Sequence, residues 1–399
     1  MYELYCRTYQ GGMKVASFIL PWREPELLEG ENSLSRLPSL IKSMRVESVL
    51  IVTDQGIISI GLMDTFLDGL KNGGIQFFIY DKTVPNPTIE NIEEAFQMYK
   101  ENKCQGIVAF GGGSPMDCAK GVGARAARPK KSIPQMKGVL KVLKRIPPLF
   151  AIPTTAGTGS EATLAAVVSN SETHEKYAIM DTALIPHYAV LDPLLTVKLP
   201  PHITAATGID ALTHAVEAYI GKSNTKKTTQ CSIEAVQLIF ENLYECYTNG
   251  TNIQARTNMQ KAAYLAGIAF TRAYVGYVHA IAHTLGGFYQ VPHGLANAII
   301  LPYVLEYYGE SAHKPLSELA DLVNITKPTD TVEQKARKFI DAIKELNEKM
   351  AIPTKVNGII EKDIPLMVER ALKEANPLYP VPKIFYKNDL LKLYHLIKE

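Results

Sequence analysis

Short apolar runs with no inward and outward alternation recur through the first half of the chain. Residues 48–53 (SVLIVT), 76–80 (QFFIY), 106–110 (GIVAF) and 149–152 (LFAI) are such runs, and 189–191 is a shorter fifth. Helical patterns fill the gaps, at residues 57–72 and 89–101 among others. Strands without a polar face, separated by helices, predict a parallel sheet buried on both sides. Such sheets bind ligands beyond the carboxyl ends of their strands. Asp54, Gly111 and Pro153 fall at that edge.

Near Leu199-Pro200-Pro201 the pattern changes. Downstream, apolar positions recur with helical spacing at 203–220, 228–247, 253–270, 275–286, 293–308, 331–350, 363–375 and 387–398, with almost no strand signal. The expected architecture is an α/β domain, a Rossmann-like parallel sheet, over 1–199, followed by an all-helical domain over 200–399. There is no internal repeat and no low-complexity segment.

Composition narrows the function. At 399 residues the chain suffices for two full cores, and 46% apolar with 21% charged residues is ordinary for a globular protein. Lys and Arg total 42 against 40 Asp and Glu, which argues against nucleic acid as a partner. No apolar run reaches the ~18 residues of a bilayer span, and the first residues, MYELYCRTYQ, lack a signal-peptide pattern. The cysteines (Cys6, Cys104, Cys118, Cys231, Cys246) are odd in number and never form CxxC, as in a reducing cytoplasm. Residues 121–145 carry eight Lys or Arg and no acid, read as a solvated surface or an anion-docking face.

Two features carry chemistry. Gly111-Gly112-Gly113-Ser114 directly follows the strand at 106–110, so the backbone there can approach a bulky anion. Ser114 is the expected N-cap, Pro115 the first helical residue and Asp117 the partner in a capping box, with the helix N-terminus aimed at a pyrophosphate. A tight strand-to-helix turn explains the glycines equally well. After the strand at 149–152, PTTAGTGS (153–160) offers hydroxyls suited to phosphate and ribose. Asp54, at a strand end, either caps a turn or accepts ribose hydroxyls, which favours NAD over NADP.

The second feature is metal-capable. Asp210 and His214 stand four apart on one helical face; His279 and His283 do the same on another, and His293 follows Pro292. Ala280 stands where an HExxH protease needs Glu, so that chemistry fails. Asp210, His214, His279 and His293 form a carboxylate-plus-three-imidazole set that suits Fe²⁺ or Zn²⁺ with an open position. His283 is either a core histidine or a proton shuttle. Both sites together suggest a metal working beside a nucleotide across an interdomain cleft.

The motifs GGGSPMDCAK (111–120), IPTTAGTGSEAT (152–163), ATGIDALTHAVEAY (206–219) and HAIAHTLGGFYQVPHG (279–294), with PNPT at 85–88, resemble the iron-containing (group III) alcohol dehydrogenases, in order from about residue 25 to the C-terminus. The resemblance implies a dehydroquinate synthase-like fold and a dimer or larger homo-oligomer. It makes Asp210, His214, His279 and His293 the metal ligands and places His283 near nicotinamide and substrate. It assigns Gly111, Gly112, Gly113 and Ser114 to the pyrophosphate, and Thr154, Thr155, Thr158, Lys176 and Leu195 to the nucleotide site. Asp54 falls where NAD-preferring members carry an acid. Arg272, Val275 and Ala165 depart from the common pattern near the expected substrate position, and an apolar Ala165 favours a simple alcohol over a diol. The implied activity is reversible hydride transfer between a small alcohol or aldehyde and NAD. The alternatives are a lyase of the dehydroquinate-synthase kind and a zinc enzyme resembling glycerol dehydrogenase.

Overall fold

The computed structural model describes residues 1–172 and 175–399. By contact, the chain forms two units: residues 21–198, and residues 199–399 together with 1–20. The first unit was expected to begin at residue 1. Helix α1 (Tyr2–Ser17) instead belongs to the helical unit. There Arg7 donates to the Val381 and Pro382 carbonyls at 2.7 and 3.0 Å, and buried Gln10 donates to Tyr379 O at 2.7 Å.

In the α/β unit the strands are β1 (Glu26–Glu29), β2 (Ser48–Val52), β3 (Gln76–Tyr80), β4 (Gly106–Gly111), β5 (Gly138–Val139), β6 (Leu149–Pro153), β7 (Ala165–Asn170), β8 (Glu175–Met180) and β9 (Tyr188–Leu191). Six form one parallel sheet in the order β1-β9-β6-β4-β2-β3. β2, β4 and β6 are buried throughout, which is why their sequences are apolar on both faces. Helices α2 (Leu37–Ser43), α3 (Gln55–Ser59), α4 (Asp64–Asn72), α5 (Ile89–Glu101) and α6 (Gly113–Ala127) complete the layers. One core contains Ile92, Ala119 and Val122 with Leu50 and Ile107; another contains Leu37, Phe66 and Leu70 with Ile51 and Phe110.

Two details differ from expectation. The helix foreseen over 57–72 is split into α3 and α4, because Gly61 takes a left-handed φ of 64° between them. A second sheet, β5-β8-β7, has β7 and β8 antiparallel. The basic stretch also resolves into local structure. Arg125 pairs with Glu93 and donates to the carbonyls of Arg128, Pro129 and Lys131; Lys137 pairs with Glu175; Lys131 donates to Lys141 O.

The helical unit contains α7 (Pro201–Ile220), α8 (Lys226–Thr248), α9 (Ile253–Ala273), α10 (Tyr277–Tyr289), α11 (His293–Tyr308), α12 (Glu310–Leu322), α13 (Val332–Lys349), α14 (Ile364–Ala375) and α15 (Lys387–Ile397). α12 lacked a place in the sequence reading; Pro315 interrupts a pattern that still buries Ala312, Leu316, Leu319 and Ala320. α7 is buried on nearly every face and packs against α8, α9 and α11. Close approach requires small residues: a Cβ on Gly208 would lie 2.2 Å from Leu243 Cδ1, and one on Gly294 would lie 2.5 Å from Ala206 O. Among the described residues no helix is long and apolar enough to cross a membrane.

Candidate metal centre and nucleotide loops

α7 presents Asp210 and His214 one turn apart, α10 presents His279, and α11 begins with His293. One ligand atom from each lies within 4.8 Å of all the others. This compares with the about 4.2 Å that opposed ligands span around an ion with bonds of about 2.1 Å. Asp210, His214 and His279 are buried, at 1, 4 and 2% exposure, while the His293 side chain is 28% exposed. One side of the set is therefore closed by protein and the other is accessible. The His214 ring stacks on Phe270 at 4.1 Å and lies 4.5 Å from the His279 ring, which fixes both orientations.

Supporting groups make the donor set fit a cation. Glu217, buried on α7, accepts from His279 Nδ1 at 2.6 Å and from the Gly276 and Val278 N–H groups at 2.8 and 2.9 Å. One carboxylate thus caps the start of α10 and holds the His279 proton on Nδ1. The His279 Nε2 lone pair is left for a metal, the usual arrangement of a metal-binding imidazole. Gly276 has to be glycine, since a Cβ would stand 2.6 Å from Glu217 Oε1. Burial pushes the His279 imidazole down, but the hydrogen bond and charge of Glu217, with Asp210 and Glu374 behind, leave it above its ordinary value.

His283 sits one turn after His279, with its ring 5.2 Å from His293 and stacked on it. Its Nδ1 lies 2.7 Å from Glu374 Oε1, which also accepts from Tyr379 OH at 2.8 Å. Burial raises the Glu374 carboxyl, but the charge and hydrogen bond of His283 outweigh it and hold it below its usual range. An ionised Glu374 only accepts, so a His283 proton sits on Nδ1, and Nε2 carries a lone pair when the ring is neutral.

Glu217 and Asn297 escaped the sequence reading. Both had a signal: Glu217 lies three residues after His214, on the face that carries Asp210, and Asn297 lies four after His293. Glu374 had none, since its sequence separation from His283 is large.

In the α/β unit, β4 pairs with β6 so that Gly111 stands opposite Pro153. The glycine loop and the threonine loop are therefore neighbours at the carboxyl edge. The chain reverses its direction of travel across the sheet between β2 and β4, the place where such sheets bind nucleotides. Gly111 has φ 149°, and a Cβ there would meet Pro115 Cγ at 2.6 Å. A Cβ on Gly113 would meet Thr158 Cγ2 at 2.9 Å, so glycine lets the two loops touch.

The expected capping box is absent. α6 starts at Gly113 with Gly112 as N-cap and no side-chain cap, because Ser114 Oγ accepts from Asn86 N–H at 3.1 Å and Asp117 Oδ1 accepts from Ser160 Oγ at 3.1 Å. Lys176 donates to Asn86 Oδ1 at 2.7 Å, which links it to Ser114. Lys120, fully buried, donates to Ser160 Oγ, Thr163 Oγ1 and Ala165 O at 2.9, 2.8 and 2.8 Å, tying α6 to the threonine loop. Burial lowers its ammonium to about 8 and raises Asp117 to about 6, against their mutual attraction. Thr154 N–H donates to Gly111 O at 3.1 Å, Thr158 Oγ1 accepts from Ser160 N–H at 3.3 Å, and Thr155 is half-buried beside Gly112. Asp54 caps α3 by accepting from Ile57 N–H at 3.0 Å. The Leu195 side chain is buried in the core with Leu34 and Val190.

The chain is similar to known proteins along most of its length. The family model for iron-containing alcohol dehydrogenase matches residues 25–193, and that for the C-terminal part of the Fe-containing alcohol dehydrogenase family matches 204–397. The 1,3-propanediol dehydrogenase of Klebsiella pneumoniae is 40% identical over 351 residues, 87% of this chain and 90% of that one. The structure of an alcohol dehydrogenase from Oenococcus oeni superposes with TM-score 0.91 at 35% identity, covering 95% of this chain and 100% of that one. Sulfoacetaldehyde reductase from Bifidobacterium kashiwanohense, in complex with NAD+, superposes with TM-score 0.83 at 27% identity, covering 95 and 98%.

Proposed function

The chain belongs to the iron-containing alcohol dehydrogenase family, and from that premise we propose how its own residues carry out hydride transfer between a small alcohol or aldehyde and NAD. The observation that carries the reading is the convergence of Asp210, His214, His279 and His293 within 4.8 Å. These four residues would hold a divalent iron, which would supply Lewis acidity when bound, and NAD would be the hydride acceptor. Asp210 contributes the negative charge and the three imidazoles bind as neutral ligands. Glu217 keeps the His279 proton on Nδ1, so that Nε2 faces the ion. His283, oriented by Glu374, offers Nε2 to take the proton from the alcohol and to return it in the reverse direction.

The backbone at Gly111, Gly112, Gly113 and Ser114 receives the pyrophosphate at the start of α6, where no side chain competes as cap. Thr154, Thr155 and Thr158 line the nucleotide beside it, and Lys176 acts through Asn86. Asp54 gives a preference for NAD by accepting ribose hydroxyls and repelling a 2′-phosphate. Leu195 supports this site from the core. Cytoplasmic location and a homodimer or larger assembly extend the reading, and light scattering on purified protein tests the assembly.

The test is NADH production from a panel of short alcohols and diols, run anaerobically with Fe²⁺ beside Zn²⁺. Metal-dependent accumulation of NADH is expected, with His293→Ala losing both metal and turnover. A panel without metal-dependent turnover, or a lyase-like reaction that leaves NAD unchanged, would falsify the reading.

A further inference from the structure

Asn297 is fully buried on α11, one turn after His293, and its amide points into the ligand set. Its Nδ2 lies 2.6 Å from Asp210 Oδ1, 3.2 Å from His279 Nε2 and 3.3 Å from His293 Nε2. Its Oδ1 is buried with no hydrogen-bond partner among the described residues. An amide nitrogen has two hydrogens, so it cannot serve three acceptors fully. The shortest contact is to a carboxylate, the strongest acceptor of the three. The other two fall on the imidazole lone pairs that a cation would take. Only the Asp210 contact is compatible with a bound ion, because a carboxylate oxygen has a second lone pair to offer. A buried orphan oxygen beside a convergent nitrogen is a costly arrangement for a purely structural asparagine, and such exceptions concentrate at functional sites.

We propose that Asn297 is a positioning residue of the metal centre. In the metal-free protein its amide gives one hydrogen to Asp210, shares the other between the His279 and His293 rings when these are neutral, and holds the set converged; with metal bound it would fix which oxygen of Asp210 is offered to the ion. The proposal rests on reading Asp210, His214, His279 and His293 as ligands. It adds a fifth side chain that governs affinity without being a ligand.

Two substitutions separate donor loss from shape. Asn297→Ala removes the donor, and Asn297→Asp keeps the shape while placing a like charge against Asp210. With Co²⁺ as probe, titrated against a competing chelator, Asn297→Ala should weaken binding about 10- to 100-fold, the range seen when groups that orient ligands are lost. It should also alter the visible ligand-field absorption, which a remote packing change leaves intact. Asn297→Asp should unfold at a lower temperature than wild type without metal, and should show a larger rise in midpoint on adding Co²⁺. Asn297→Ala binding Co²⁺ with wild-type affinity and spectrum overturns the inference alone. So does Asn297→Asp with a wild-type metal-free midpoint, and this arm decides if the alanine variant does not fold. Wild-type protein that takes up no Co²⁺ overturns the ligand reading and the inference together.

Discussion

Glu217 shows how much one side chain can organise. Three N–H donors, from Gly276, Val278 and His279, converge on its two oxygens in a dry environment. A glutamine at this position has one acceptor oxygen and turns an amide N–H₂ toward at least one of those donors. Glu217→Gln is therefore expected to leave a buried donor unsatisfied, at a cost of about 1–3 kcal/mol in unfolding free energy. It should also lower metal affinity about 10- to 100-fold through misorientation of His279. Denaturant titration and metal competition measure the two effects separately; a variant with normal affinity would show that His279 is oriented by packing instead. The metal-capable residues themselves were legible in the sequence because two pairs share helix faces. Their supporting residues were equally well spaced, but a Glu or Asn on a helix face is ordinary until its surroundings are known to be buried.

At the scale of elements, the apolar runs of the first half predicted the strands because a parallel sheet covered on both faces leaves no polar positions. The runs over 76–80 and 89–101 correspond to β3 and α5 end for end. What misled was local polar chemistry. Ser114 and Asp117 have the spacing of a capping box, yet Asn86 and Ser160, remote in sequence, compete for their oxygens. The fold of the helical unit depends on close packing of α7 against α8, which Gly208 permits. Gly208→Ala places a methyl group 2.2 Å from Leu243 Cδ1, inside any real contact distance. The expected cost is about 1–3 kcal/mol from overpacking, less the gain in helix propensity. A thermal midpoint equal to or above wild type would mean that Leu243 repacks freely.

At the scale of the whole molecule, the four candidate ligands come from three helices, so a metal held by them would bind the native chain and not the unfolded one. Removing it with a chelator is expected to lower the thermal midpoint, and saturating it at 1,000 times Kd adds about 4 kcal/mol. The gain should depend on pH. The raised value of His279 means that the metal-free native state keeps its proton to a higher pH than a free imidazole does. In the metal-free protein that charge contributes stability fully present below the unfolded value and lost as pH rises through the folded one. Metal requires the deprotonated Nε2, so its stabilisation runs the other way, growing as pH rises through the same range. Unfolding scans with and without Co²⁺, from mildly acid to mildly alkaline, check both signs; a metal-induced shift that is constant with pH would contradict them. By itself the sequence determined the periodicities, hence a parallel sheet followed by helices, and the residue types capable of binding metal and phosphate, since these follow from local spacing and side-chain chemistry. Only the tertiary structure decided that α1 joins the helical unit, that Glu217, Asn297 and Glu374 contact the histidines, and that Lys120 ties α6 to the threonine loop. Those contacts depend on which polar groups are excluded from water, and burial is set by packing between segments far apart in the chain.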